Sequence, residues 1–268
     1  MSSRKNIGSI ILWIYCSIVL AFLILPVLIV VPVSFSPGIS LKFPPQGVSL
    51  RWYNNFFNDP SWTAAAWLSV KVALMTVVAS LILGGSAAFG LVRFPVIGRQ
   101  FARGVLMTPL FIPAVVIAVA VYSVYASLRL IGSTWGIAMA HTVLALPYVI
   151  IMLTEGLSGF DKRLEEASYS MGATKAYTMR RIVIPLLTPA IVAAAIFAFA
   201  TSWDEVILVL FVGGSTGQTL PLKMFTYLRT EITPTIAAIS TMMVGLILVA
   251  YVATELIKLR RRRHQAKF

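Results

Sequence analysis

The chain has 268 residues, 59% hydrophobic and 12% charged, against about 25% charged in an ordinary globular domain. Its net charge of +13 raises nucleic-acid binding as a function. The long uncharged runs exclude a soluble domain, and the basic residues gather at the ends of those runs, where anionic lipid attracts them.

Six runs approach the roughly 20 residues that a helix needs to cross the hydrocarbon core. The first is 7–33, preceded by Arg4 and Lys5. It is longer than the apolar core of a signal peptide, about 7–15 residues, and is expected to stay as a first helix. The single cysteine, Cys16, lies inside it as a packing residue. The connection 34–62 holds Pro37, Pro44, Pro45 and Pro60, together with Trp52, Tyr53, Phe56 and Phe57, aromatics suited to a membrane interface. The second run is 72–92. The third is 104–128, where Pro109 and Pro113 are expected to kink one span. The fourth, 130–154, contains Pro147 and His141, the latter read as a hydrogen-bonded packing residue rather than a proton relay. A polar connection, 155–185, leads to the fifth run, 185–203. A turn-rich loop, 213–234, opens on Gly213 and Gly214 and leads to the sixth run, 232–254. Four consecutive arginines at 260–263 then read as a stop-transfer anchor.

Loops rich in Lys and Arg stay in the cytoplasm. With the N-terminus cytoplasmic, six crossings place 16 of the 22 basic residues on that side, leaving Lys42, Arg51, Lys71, Arg129, Lys223 and Arg229 elsewhere. The expected fold is therefore all-α, one integral membrane domain over residues 1–268. Both termini and 155–185 face the cytoplasm, and 34–62 and 213–234 face the periplasm.

Within 155–185, residues 161–174 read as a short helix with marked ends. Asp161 can cap it, and Glu165 and Glu166 sit near the positive end of its dipole. Leu164, Ala167, Ser168 and Met171 recur at helical spacing and make a narrow face of small or apolar groups. Gly172 can take the left-handed conformation that ends a helix, and Thr174 can cap a second one running through Tyr177, Met179, Arg180 and Arg181 toward Pro185. Such a face suits docking into a protein groove; the alternative is a helix lying on the bilayer.

This segment resembles the signature of ABC importer permeases: Glu166-Ala167-Ser168, three residues, Gly172, nine residues, then Ile182-Val183-Ile184-Pro185. Ser168 stands where that pattern has Ala, and Ile184 where it has Leu. The resemblance extends to the spermidine/putrescine-type permeases through Arg51-Trp52-Tyr53, Phe57-Asn58-Asp59-Pro60, Ser202-Trp203-Asp204-Glu205-Val206, Phe211-Val212-Gly213-Gly214 and Leu220-Pro221-Leu222. It implies a six-helix type I permease fold in which Leu164, Glu165, Glu166, Ala167, Ser168, Met171, Gly172 and Ala173 form the coupling helix that seats in an ATP-binding subunit. It also implies a homologous second permease, two ATP-binding subunits and a periplasmic solute-binding protein as partners. The solute would be a polyamine, or alternatively another small amine, amino acid or organic solute. The chain would be no enzyme and bind no cofactor, ATP being held by the partner subunits. The sequence has no Gly-Lys pair and so no phosphate-binding loop, and neither His-Glu-x-x-His nor a cysteine pair for a metal.

Trp203, Asp204 and Glu205 are the candidate pathway or gate residues. Carboxylates in an apolar span are expensive and face a cavity or a partner, and an acidic–aromatic set suits an ammonium group. On a continuing fifth helix Glu205 would point about 100° away from Asp204. The alternatives are that the pair satisfies a basic residue of the neighbouring permease or marks the helix end. A secondary transporter and a membrane-embedded enzyme are the remaining function classes. The signature segment argues against the first, and only Asp204 and Glu205 are paired in a span for the second.

Overall fold

The computed structural model describes residues 7–39, 41–94, 97–230 and 233–265, with side chains for all of these except 7, 250 and 253–265. Among them every regular element is helical. The chain forms two compact units, Met1–Thr63 with Tyr227–Leu248, and Ala64–Thr226 with Val249–Phe268.

In the first unit, α1 (Ile7–Ser34) is apolar throughout, and its side chains from 8 to 28 are exposed. An uncharged helix whose side chains are exposed over this length matches lipid or a partner helix rather than water. The expected loop after it contains a helix, α2 (Arg51–Asn58). Its Trp52 is buried and donates from the indole to the Ser36 carbonyl at 2.8 Å, while the Ser34 and Tyr53 hydroxyls lie 2.7 Å apart. Of the four aromatics in this segment, Trp52 and Phe56 are buried and Phe57 is exposed. At α2's helical spacing, 52 and 56 share one face. The side chain of Asp59 receives the Ser61 amide at 2.7 Å, and Pro60 follows as the first residue of α3 (Pro60–Arg93).

In the second unit, α4 (Arg99–Met107) and α5 (Ala114–Leu128) are joined by a 3₁₀ turn, Thr108–Leu110, and meet at a 100° bend. The third expected run is thus two helices set at a sharp bend, not one continuous helix with a mild kink. Pro113 has no N–H to continue the ladder and its own ψ of 134° is extended, so the helix restarts at Ala114. Then follow α6 (Thr134–Ser158), the short α7 (Arg163–Ser170) and α8 (Lys175–Thr178), α9 (Ile184–Trp203), α10 (Ile207–Val212) and α11 (Leu220–Thr230), the first unit taking over from Tyr227 and holding α12 (Pro234–Gln265) as far as Leu248. The fourth run starts four residues later than its apolar content suggests. Arg129 and Gly132 take positive φ, and Ser133 caps α6 by accepting the Gly136 amide.

Among the described residues, four helices are long and apolar enough to cross a membrane, and the bent α4–α5 pair makes a fifth if it is one span. The sixth expected run is α12, of which Pro234–Val249 is apolar.

The centre of this unit is α6 packed along α9, with Leu153, Leu157, Leu187, Ala194 and Ala198 buried between them and α3. The approach is close because small residues line it. A Cβ built on Gly156 would come within 2.6 Å of the Ala190 Cβ, and one on Gly84 within 2.8 Å of Val149. Small residues let membrane helices approach where no hydrophobic force drives them together. α3, α6 and α9 also share a buried polar cluster. His141 Nδ1 lies 2.8 Å from the Ser202 hydroxyl, that hydroxyl lies 3.4 Å from Thr76 Oγ1, and Thr76 donates to the Ala138 carbonyl at 3.2 Å. His141 is thus a buried, hydrogen-bonded residue that ties helices together.

Candidate functional site

The signature segment folds as a helical hairpin between α6 and α9. Asp161 accepts the Arg163 amide at 3.0 Å and so opens α7, with Glu165 and Glu166 in the first turn. Gly172 ends α7 at φ +82°, with open space around it. Thr174 caps α8 by accepting the Tyr177 amide at 3.3 Å. The second expected helix does not stop before Pro185. A π turn, Met179–Val183, joins α8 to α9 in one helical run, Lys175–Trp203. Pro185 has no N–H to give, and it falls at the start of α9, just after the stretch where the π turn interrupts the regular ladder.

Of the expected docking face, Ser168 points inward. It is 1% exposed and its hydroxyl lies 2.8 Å from that of Thr178, which is fully buried. The residue that departs from the family pattern therefore bonds the two arms of the hairpin together. Leu164, Glu166, Ala167 and Met171 are exposed, with Met171 at 81%. Beside them lies an open groove of about 770 Å³, lined by Ser168, Met171, Gly172, Ala173, Thr174, Tyr177, Arg181 and Ile182. Glu165 is turned away from this surface and forms an ion pair with Arg93 at the end of α3. Arg93, Phe160 and Thr178 were not legible as site residues. Arg93 is 72 positions from its partner, and in the sequence it reads only as one more basic residue at the end of a run.

The acidic pair is placed differently from the expectation of a continuing helix. α9 ends at Trp203, and residues 204–206 break the chain before α10. Asp204 is exposed, and among the described residues it has no ion-pair partner. Glu205 is half-buried, and its carboxylate accepts the Leu208 amide at 2.9 Å, capping α10. Glutamate is not among the residues preferred as a helix N-cap, so this contact had no capping signal in the sequence. Trp203 is buried against Phe199, ring centroids 5.4 Å apart and 18° from parallel. The break thus separates one exposed carboxylate from one committed to the backbone.

Residues 80–263 match the model of the family described as binding-protein-dependent transport system inner membrane component. That span holds the hairpin, the polar cluster's His141 and Ser202, and the break after α9. The chain belongs to this family. The permease is 33% identical over 250 residues to the spermidine/putrescine transport system permease protein PotC of Haemophilus influenzae, covering 92% of this chain and 95% of that protein. It is 30% identical over 240 residues to the putrescine transport system permease protein PotI of Escherichia coli, covering 87% and 85%. Its fold is similar to a chain of a bacterial ABC transporter that imports the acidic polysaccharide alginate, with TM-score 0.71 at 16% identity over 95% of this chain and 98% of that one. The methionine transporter MetNI gives a TM-score of 0.60 at 19% identity over 72% of this chain and 92% of that one. The permease therefore has the type I importer permease fold and is a multi-pass inner-membrane transporter subunit, not an enzyme. As a member of this family it works with a partner permease, an ATPase and a solute-binding protein.

Proposed function

We propose that this permease forms half of the translocation pathway for a polyamine of the spermidine or putrescine kind. The similarity to PotC and PotI along nearly the whole chain supports this, and the exposed Asp204 carboxylate at the break after α9 is the observation that carries it. A linear polyamine presents two or more ammonium groups, and a carboxylate in an apolar surrounding is kept only where it meets charge or water. The other half is a homologous chain, and two ATP-binding subunits drive the pair. The α7–α8 hairpin is the coupling element. Leu164, Ala167 and Met171 on its exposed face, with the groove at Gly172 and Ala173, seat in the ATP-binding subunit, and Glu166 lies beside them. The whole chain acts as one permease domain, with both termini and the hairpin in the cytoplasm. Trp203 sets the position of Asp204, and Glu205 shapes the break by capping α10.

The test is uptake in proteoliposomes holding the assembled transporter, with the cognate binding protein outside and ATP inside. Radiolabelled spermidine or putrescine should accumulate only with both present. An excess of trehalose or of a neutral amino acid should not compete. A sugar or an anion co-purifying with the cognate binding protein, and no polyamine uptake, would overturn the solute assignment. Uptake without ATP would overturn the importer reading.

A further inference from the structure

Arg93 is the last residue of α3, and Glu165 is in the first turn of α7. Each side chain suits its own helix end, a cation at the C-terminus and an anion at the N-terminus. Their ion pair joins the two ends, with the side chains only 10% and 14% exposed. The guanidinium also lies over the Phe160 ring, 5.5 Å from its centroid, and Phe160 packs on the core shared by α3, α6 and α9. Apart from this pair, α7 is anchored mainly to the other arm of the hairpin, through Ser168 and Thr178. α3 in turn carries Thr76, which meets Ser202 in the buried polar cluster, one residue before Trp203 and two before Asp204. From Thr76 to Arg93 is 17 residues of unbroken helix, about 26 Å at 1.5 Å per residue.

We infer that Arg93 is a positioning residue for energy coupling: its ion pair with Glu165 fixes α7 to α3, so that a displacement of the hairpin is delivered to the helix that reaches the polar cluster beside the pathway break. This rests on the reading of the α7–α8 hairpin as the ATPase-docking element. Without the pair, α7 remains docked but is free to tilt against α3. A guanidinium held by both a carboxylate and an aromatic face suits such a link better than an ammonium, because its planar fork keeps a fixed direction.

The experiment uses the full transporter in nanodiscs with its ATPase subunits, in a Cys16→Ser background. The readout is the ratio of ATP hydrolysis with the binding protein, purified with its bound solute, to hydrolysis without it. Arg93→Gln and Glu165→Gln should each lower this ratio about tenfold, within the roughly 5–150-fold range of coupling between sites. The double variant should be no worse than either single one, since both remove the same interaction. The swap Arg93→Glu with Glu165→Arg should recover at least half of the ratio, and Arg93→Lys should fall between. In parallel, Met171→Cys should crosslink to the ATPase subunit in every variant, showing that the hairpin is still docked. An unchanged ratio in Arg93→Gln with the crosslink present would overturn the inference and leave the docking reading standing. Additive losses with no recovery in the swap would overturn it as well. Absence of the Met171→Cys crosslink in the otherwise unsubstituted transporter would overturn the docking reading, and the inference with it.

Discussion

Replacing Gly156 by alanine adds one methyl group where α6 and α9 lie closest. The new Cβ would sit 2.6 Å from the Cβ of Ala190 and 3.3 Å from the end of Leu187. Carbon atoms prefer about 3.5–4.0 Å, so the helices must part by about 1 Å, because Ala190 has no torsion by which to move its Cβ aside. Overpacking of this kind costs about 1–3 kcal/mol. Alanine returns about 0.5–1 kcal/mol over glycine in a helix interior. The net loss is about 1.25 kcal/mol. At about 2–4 °C per kcal/mol for a chain of this size, the apparent Tm should fall by roughly 3–5 °C, read by intrinsic fluorescence during a thermal ramp of the detergent-solubilised protein. The double variant Gly156→Ala with Ala190→Gly moves the methyl from one helix to the other. Its propensity terms cancel and its clash with Ala190 is gone, so it should melt within about 1 °C of the parent. A single variant as stable as the parent, or a double variant no better than the single, would show that α6 and α9 do not meet in this register. Transport should follow the same order, since the α7–α8 hairpin hangs between these two helices.

Three other outcomes follow from the geometry. Asp204→Asn should cut polyamine uptake at subsaturating solute while leaving assembly intact, whereas Glu205→Gln should lower stability by about 1 kcal/mol through its weaker cap on α10, read as a lower melting temperature. Wild-type uptake in Asp204→Asn would make that carboxylate a solvated helix end. Gly172→Asp should lower the melting temperature by roughly 2–8 °C, from left-handed strain of about 1–2 kcal/mol at a turn with open space around it, without unfolding the membrane domain, yet abolish solute-stimulated ATP hydrolysis; full stimulation would refute the docking role. Reporter fusions at the C-terminus and within 161–174 should both report the cytoplasm, and a fusion within 213–234 the periplasm; a periplasmic C-terminus would refute six crossings.

Much of this protein is written in local rules. Membrane spans are legible because about 20 apolar residues can satisfy their backbone only as a helix in lipid. The hairpin is legible for the same reason: Asp161, Gly172 and Thr174 act on backbone groups two or three residues away, and each does so in the structure. The departures are local too: at Pro113 the chain bends by 100° and restarts its helix, and α9 ends at Trp203, one residue before Asp204. The other contacts had no local signal. Ser168 bonds Thr178 ten residues on, His141 meets Ser202 across 61, Arg93 reaches Glu165 across 72, and Thr76 reaches Ser202 across 126. The long apolar runs, the ends of the hairpin and the family signature are legible along the chain because they depend on near neighbours. The helices α2 within 34–62 and α11 within 213–234 are not, because their few apolar residues (Trp52 and Phe56, Leu220 and Leu222) are buried only in the folded chain. Which serine faces inward, which carboxylate is spent on a helix cap and which arginine holds the hairpin were decided only by tertiary packing, because a buried polar group takes whatever partner the packed helices bring within about 3 Å.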